Sequence, residues 1–244
     1  MMLNKSYKNI SLITRIRNEE EIIGDFLSYY KDFPVYIYDD VSTDNTVDIC
    51  KSYPNVKGII QATEWDTDRT RAEYTTRQAV LELALKDNPE WILYVDADER
   101  VEFPDIDLDK YDGVRMKLFD FYITEGDKNK KYTEREYLGP EYRDILMMFR
   151  NVKGLRYELR DQREMILPNS SLVCDDGYVK HYGKAISIKE WESTCDYYVK
   201  YFPEFYKMKW EKRRGKAIHN KSDFGADLIK WEQRFDYGYP LFVV

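Results

Sequence analysis

The chain has 244 residues, of which 43% are hydrophobic, 16% aromatic and 34% charged, with a formal net charge of −7. That composition supports one sizeable core and, with only 11 Gly and 8 Pro, excludes collagen-like, linker-like and low-complexity architectures; the acidic balance argues against sequence-independent nucleic-acid binding. No apolar run approaches the roughly 18 residues that a bilayer requires. Residues 1–9 lack the apolar centre of a signal peptide, and Cys50, Cys174 and Cys195 make neither a disulfide framework nor a zinc pattern, so the expected setting is cytoplasmic.

In chain order, Ile10–Thr14 reads as a buried strand. Asn18 is expected to start a helix with Glu21 as its capping-box partner, because Ile22, Ile23, Phe26, Leu27 and Tyr30 recur at helical spacing. Pro34 ends the turn, and Val35–Tyr38 is a second strand running into Asp39-Asp40. Ser42, Thr43 and Asp44 are suitable caps for a short helix through Cys50. Val56–Ile60 is a third strand, and Asp66–Lys86 a long helix with Ala72, Ala79, Val80 and Leu83 on one face and Pro89 beyond its end. Trp91–Val95 is a fourth strand running into Asp96-Ala97-Asp98-Glu99. Strands alternating with helices imply crossover units and a mostly parallel sheet. Ligands bind such sheets beyond the carboxyl ends of the strands, where both acidic clusters fall.

The second half is less regular. Gly113–Phe121 and Ile145–Arg150 read as strands, and Lys128–Arg143 as a polar, tyrosine-rich loop. Ser187 with Glu190 starts a helix carrying Trp191, Cys195 and Tyr198, and the tail from Trp231 to Val244 is aromatic. Tyr132 and Tyr137 carry flat apolar rings with a polar edge, which suit the faces of sugars.

Asp96 and Asp98 offer hard oxygen ligands to Mg²⁺ or Mn²⁺ directly after an apolar strand; the plainer alternative is a solvated acidic turn. Asp39 and Asp40 can accept hydrogen bonds from a nucleobase or ribose edge, or simply belong to a helix cap. Arg15 and Arg17 beside a helix N-terminus suit a phosphate, and Arg69, Arg71 and Arg77 supply further cations, most of them expected on a solvated face. His181 is one of two histidines and suits a third position on the metal beside the two carboxylates; a structural histidine is the alternative. His219 is assigned no role.

The segments ISLITRIRNEEEII, VYIYDDVSTDNT and EWILYVDADERVEF, in that order, resemble the family-2 glycosyltransferases of the GT-A fold. They are closest to the branch with R-x-N-E after the first strand and a DxDE ending. The resemblance covers residues 9–103, with MMFRN, GLRY and KHYG as weaker echoes. It implies an α/β, Rossmann-like, mostly parallel sheet flanked by helices, with an irregular acceptor side near the C-terminus. It also implies one domain over residues 1–244, with a nucleotide half at 1–103 and an acceptor half at 104–244. The implied donor is a nucleotide sugar, UDP-sugars favoured, with inverting transfer to a glycan or glycoconjugate hydroxyl and Mn²⁺ or Mg²⁺ as cofactor.

Carried onto this chain, Thr14 meets the base through its backbone and Asp39 or Asp40 holds it. Arg17 and Arg77 join the nucleotide-sugar set. Asp96 lies near ribose and metal, Asp98 binds metal and diphosphate, and His181 is a further metal or phosphate ligand. One departure stands out. After Arg156-Tyr157, where family members often carry a His-Glu pair, this chain has Asp161-Gln162-Arg163-Glu164. Inversion needs one base opposite the leaving diphosphate, and the candidates in order are Glu164, Asp161 and Asp144.

Rival readings are a sugar-nucleotide nucleotidyltransferase, a phospho-acceptor domain and a non-catalytic glycan- or metal-binding module. The first usually has a glycine-rich loop after its first strand, and TRIRNEEE has no glycine. The second leaves Asp96 and Asp98 unexplained, and the third releases no nucleoside diphosphate from a sugar nucleotide.

Overall fold

The computed structural model describes residues 9–158, 163–202 and 204–241. The first apolar run forms β1 (Ile10–Ile16), buried at every position but Arg15. It is followed by α1 (Ile23–Tyr29), β2 (Val35–Asp39), α2 (Thr46–Ser52), β3 (Val56–Gln61), α3 (Arg69–Leu85), β4 (Trp91–Tyr94) and β5 (Glu99–Glu102). Then come β6 (Gly113–Phe121), β7 (Tyr137–Arg150), β8 (Val173–His181), α4 (Ile188–Tyr201), α5 (Glu204–Glu211), β9 (Ile229–Lys230), α6 (Arg234–Tyr237) and β10 (Tyr239–Pro240). Among the described residues, no helix is long and apolar enough to cross a membrane.

The chain divides into two compact units, Met1–Met116 with Ile145–Gly177, and Lys117–Asp144 with Tyr178–Val244. The strand order of the sheet is β3-β2-β1-β4-β7-β6-β8-β5, and its first four strands lie wholly in the first unit. The pairs β1–β2, β2–β3 and β1–β4 are parallel, and β4 meets β7 antiparallel with Ile92 opposite Phe149. This is the expected α/β class, a mostly parallel sheet flanked by helices. Strands buried on both faces read as continuous apolar runs, and WILY and ISLI obey that rule. The core here includes Ile13, Tyr36, Val80, Leu81, Ile92, Tyr94, Phe149 and Tyr157.

In the second unit β7 pairs with β9 antiparallel and with β10 parallel. A smaller core lies between α4 and α5, where Tyr198 stacks on Trp210 with ring centroids 4.4 Å apart, beside Trp191 and Cys195.

Four local expectations change. Asn18 does not start α1; it sits in the left-handed region, at φ 54°, which asparagine tolerates better than most residues. The Asn18 N–H donates to Ser42 Oγ (2.9 Å), the Glu19 N–H to Thr46 Oγ1 (2.7 Å) and the Thr43 N–H to Asn18 Oδ1 (2.8 Å). Side chains expected as helix caps thus lace two loops together. The long helix begins at Arg69 rather than Asp66, with the Asp68 carboxylate accepting from the Arg71 N–H. Lys128–Arg143 is not a loop throughout, because β7 starts at Tyr137 and runs 14 residues. Tyr132 is buried edge-on against Tyr182 (5.3 Å), so its ring offers no face to a sugar.

The expected helix at Ser187 is present, and Ser187 Oγ accepts from the Glu190 N–H at 3.1 Å. Ser187→Ala removes that cap and should lower unfolding free energy by about 1 kcal/mol. Urea denaturation measures it, and an unchanged midpoint would show that the cap contributes nothing.

Candidate active site

In the first unit a line of charges crosses the carboxyl ends of β1 and β4. Arg15 pairs with Glu73 of α3, and Glu73 pairs with Arg77 Nη2 at 2.6 Å. The Arg77 Nε–H donates to the Tyr94 hydroxyl (3.1 Å), which donates to Asp96 Oδ1 (2.9 Å). Asp96 Oδ2 is 2.5 Å from Arg163 Nη1, and Arg163 continues to both oxygens of Glu99, at 2.8 and 3.0 Å. Three arginines therefore face three carboxylates. Burial alone would raise Asp96, but Arg163, Arg77, Arg15 and the Tyr94 hydrogen bond outweigh it and bring its pKa down to about 2. Burial pushes the Tyr94 phenol up, so it stays protonated and donates.

Asp96, Ala97 and Asp98 do not extend β4; they form the turn between β4 and β5, closed by the Glu99 N–H donating to the Asp96 carbonyl at 3.0 Å. Asp98 is half-buried on this turn. Its hard carboxylate oxygens suit Mg²⁺ or Mn²⁺, and each Asp96 oxygen keeps a second lone pair beyond the bonds described. The donor set of this turn fits a divalent cation.

The end of β2 carries a second group. Asp39 is buried and accepts from the Ser42 N–H; Asp40 is buried and pairs with Arg69 Nη2 at 2.7 Å. The Arg69 guanidinium lies 4.9 Å from the Trp65 ring and that of Arg17 lies 4.2 Å from it. Thr14, in the middle of β1, is fully buried, and its hydroxyl has no hydrogen-bond partner among the described residues. The structure thus brings Thr14, Arg17, Asp39, Asp40, Arg77, Asp96 and Asp98 into one unit. Arg77 is 8% exposed and belongs to the charge line rather than to a solvated helix face.

Glu164 belongs to the same unit. Its two oxygens accept from Arg115, at 2.7 and 3.3 Å, and Oε1 also accepts from the Leu146 N–H at 3.2 Å. These contacts fix the carboxylate's orientation and take two lone pairs on Oε1 and one on Oε2. Asp161 lies outside the described residues. Asp144 is exposed on β7 in the second unit. His181, at the end of β8, is also in the second unit, 2.5 Å from Asp120. Burial opposes the charge of Asp120, while Arg143, Lys184 and His181 hold it well below the usual carboxylate range.

Sequence reasoning missed Glu73, Tyr94, Glu99, Asp120 and Arg163 as members of these networks. Glu99 carried a signal, as the last letter of the DxDE motif. The others needed the fold to choose their partners.

Residues 11–107 match the family model of Glycosyl transferase family 2. The matched segment lies in the first unit and contains every nucleotide-sugar candidate and both acidic strand ends. The resemblance carried by the motifs is borne out, and the match supports a transferase of glycosyltransferase type. Among solved structures, the chain is similar to the CTP:phosphocholine cytidylyltransferase from Streptococcus pneumoniae at 12% identity, over 93% of this chain and 96% of that one, with a TM-score of 0.28. No curated protein matches the chain.

The depressed pKa of Asp96 has a measurable sign. A carboxylate held below its ordinary 3.8 stabilises the fold above that pH, and the contribution is lost as pH falls toward about 2. Asp96→Asn cannot titrate. The stability gap between the parent and Asp96→Asn should therefore be widest near neutrality and shrink below pH 4. Urea unfolding across that range measures it, and a constant gap would mean that the charge of Asp96 is not what stabilises.

Proposed function

We propose that this protein is an inverting glycosyltransferase that moves a sugar from a nucleotide-sugar donor, with UDP-sugars favoured, to a hydroxyl of a glycan or glycoconjugate acceptor. The observation that carries this reading is the coincidence of the family match with two acidic strand ends in one unit. Nucleotide binding is assigned to residues 1–103 and acceptor binding to residues 104–244. Free cysteines, two of them buried, suit a reducing cytoplasmic setting.

The roles follow from the side chains. Thr14 and Asp39 or Asp40 border the base, with Arg69 keeping Asp40 ionised and fixed. Arg17 meets the diphosphate, its guanidinium 4.2 Å over the Trp65 ring. Asp96, oriented by Tyr94 and Arg163, accepts from ribose hydroxyls. Asp98, with Asp96, would hold Mn²⁺ or Mg²⁺, which when bound neutralises charge on the departing diphosphate. Glu164, oriented by Arg115, takes the acceptor proton.

Release of nucleoside diphosphate from a panel of UDP-, GDP-, dTDP- and CMP-sugars tests the activity. Asp98→Asn keeps the shape and removes a charge. It should abolish Mn²⁺-dependent transfer while the thermal transition stays in place; full turnover in that variant, or in excess chelator, ends the metal-dependent reading.

The base is tested separately. Glu164→Gln should cut turnover by roughly 10²- to 10⁴-fold with donor affinity unchanged. A fall of less than about tenfold would leave Glu164 as the anchor of Arg115 and pass the role to Asp161, then Asp144.

A further inference from the structure

The second unit exposes an apolar helix face inside a basic stretch. Residues 204–216, which are α5 and the turn after it, carry six lysines and arginines against two glutamates, in a chain whose net charge is −7. Helical spacing gives α5 two faces. Tyr206 and Trp210, four residues apart, turn toward α4, where Tyr198 stacks on Trp210 at 4.4 Å and on Tyr206 at 6.4 Å. Phe205 and Met208 lie on the opposite face and are 75% and 53% exposed. Lys209 and Lys212 continue that face at the next helical positions, since the Lys212 N–H still donates to the Met208 carbonyl at 3.4 Å.

The positive charge of this stretch is only partly neutralised within the unit. Arg213 pairs with Asp223 at 2.5 Å, Arg214 with Asp196 at 2.6 Å and Lys207 with Glu204 at 4.0 Å. Lys209, Lys212 and Lys216 have no carboxylate partner among the described residues. Lys209 instead has Arg213 and Lys184 as like-charged neighbours. Large apolar side chains exposed side by side mark a surface that meets something other than water. An anionic bilayer answers both features: its headgroups attract lysines, and the boundary beneath them takes up phenyl and thioether groups. An acidic protein surface would satisfy the lysines alone.

We propose that α5 docks this protein peripherally on an anionic lipid bilayer. Phe205 and Met208 enter the boundary between headgroups and acyl chains, and Lys209, Lys212 and Lys216 lie among the headgroup phosphates. Two short insertions and a few lysines make a reversible contact, distinct from a helix that crosses the membrane. The inference does not depend on the transfer reaction, so either can fail without the other.

The test is flotation of the full chain with vesicles of phosphatidylcholine alone and of an equal mixture of phosphatidylcholine and phosphatidylglycerol. The chain should float with the mixed vesicles and not with phosphatidylcholine alone, and added salt should weaken the binding by screening the lysines. Phe205→Ser should lower partitioning roughly tenfold or more. Lys209→Gln and Lys212→Gln should each lower it about fivefold. Leu172→Ser, which alters an exposed apolar side chain of the first unit, should leave it unchanged. Should Phe205→Ser shift the thermal transition, Met208→Ser takes its place. No binding to the mixed vesicles, or equal losses in Phe205→Ser and Leu172→Ser, overturns the proposal. Binding that the lysine variants abolish and Phe205→Ser leaves intact would mark a surface for acidic proteins and also overturn it. A dimer that forms without vesicles and is dissolved by Phe205→Ser would make this face a contact between copies, and the proposal would again fall.

Discussion

Arg163 is the closing link of the first unit. Its guanidinium is 13% exposed and satisfies Asp96 and Glu99 together, and through Asp96 it completes a line that runs back to Arg15 on β1. Taking an ion out of water costs several kcal/mol, so such a line holds only while each charge meets its opposite. The line ties β1, α3, β4, β5 and the segment before β8 at the edge where the acidic turns lie. Removing Arg163 strips Asp96 and Glu99 of the cation they share, and an ion left buried without its opposite costs more than an intact pair contributes.

The second unit repeats the logic at Asp120. A carboxylate is buried among an arginine, a lysine and a histidine, and a second carboxylate, Asp223, balances the surplus cation. In the first unit the Tyr94 hydroxyl carries the line from Arg77 to Asp96, and in the second the Tyr122 hydroxyl accepts from Lys184. Their protons are retained because burial disfavours the phenolate.

Much of the first unit was legible because buried parallel strands are written as unbroken apolar runs, and acids stand out where such runs stop. The charges of β5 hid it: Glu99 and Arg100 are buried, yet ERVE reads as an exposed turn. In β7, Gly139 and Pro140 look like breakers, and the strand runs through them. Asn18 misled because a side chain that caps a helix bonds equally well to the backbone of another loop. Glu164 was legible as a carboxylate near the motif echo GLRY, but its commitment to Arg115, 49 positions earlier, is written in no local pattern.

Trp65 carries Arg17 at 4.2 Å over its ring. Guanidinium is weakly hydrated across its faces, and the indole replaces water on one of them. An oxyanion arriving at the rim of that plane has less ordered solvent to displace than it would at a lysine. The ring also restricts the rotamers of the long side chain, so less freedom is left to lose on capture. Arg17 follows the carboxyl end of β1, so this guanidinium has exchanged water for indole on one face before any partner arrives.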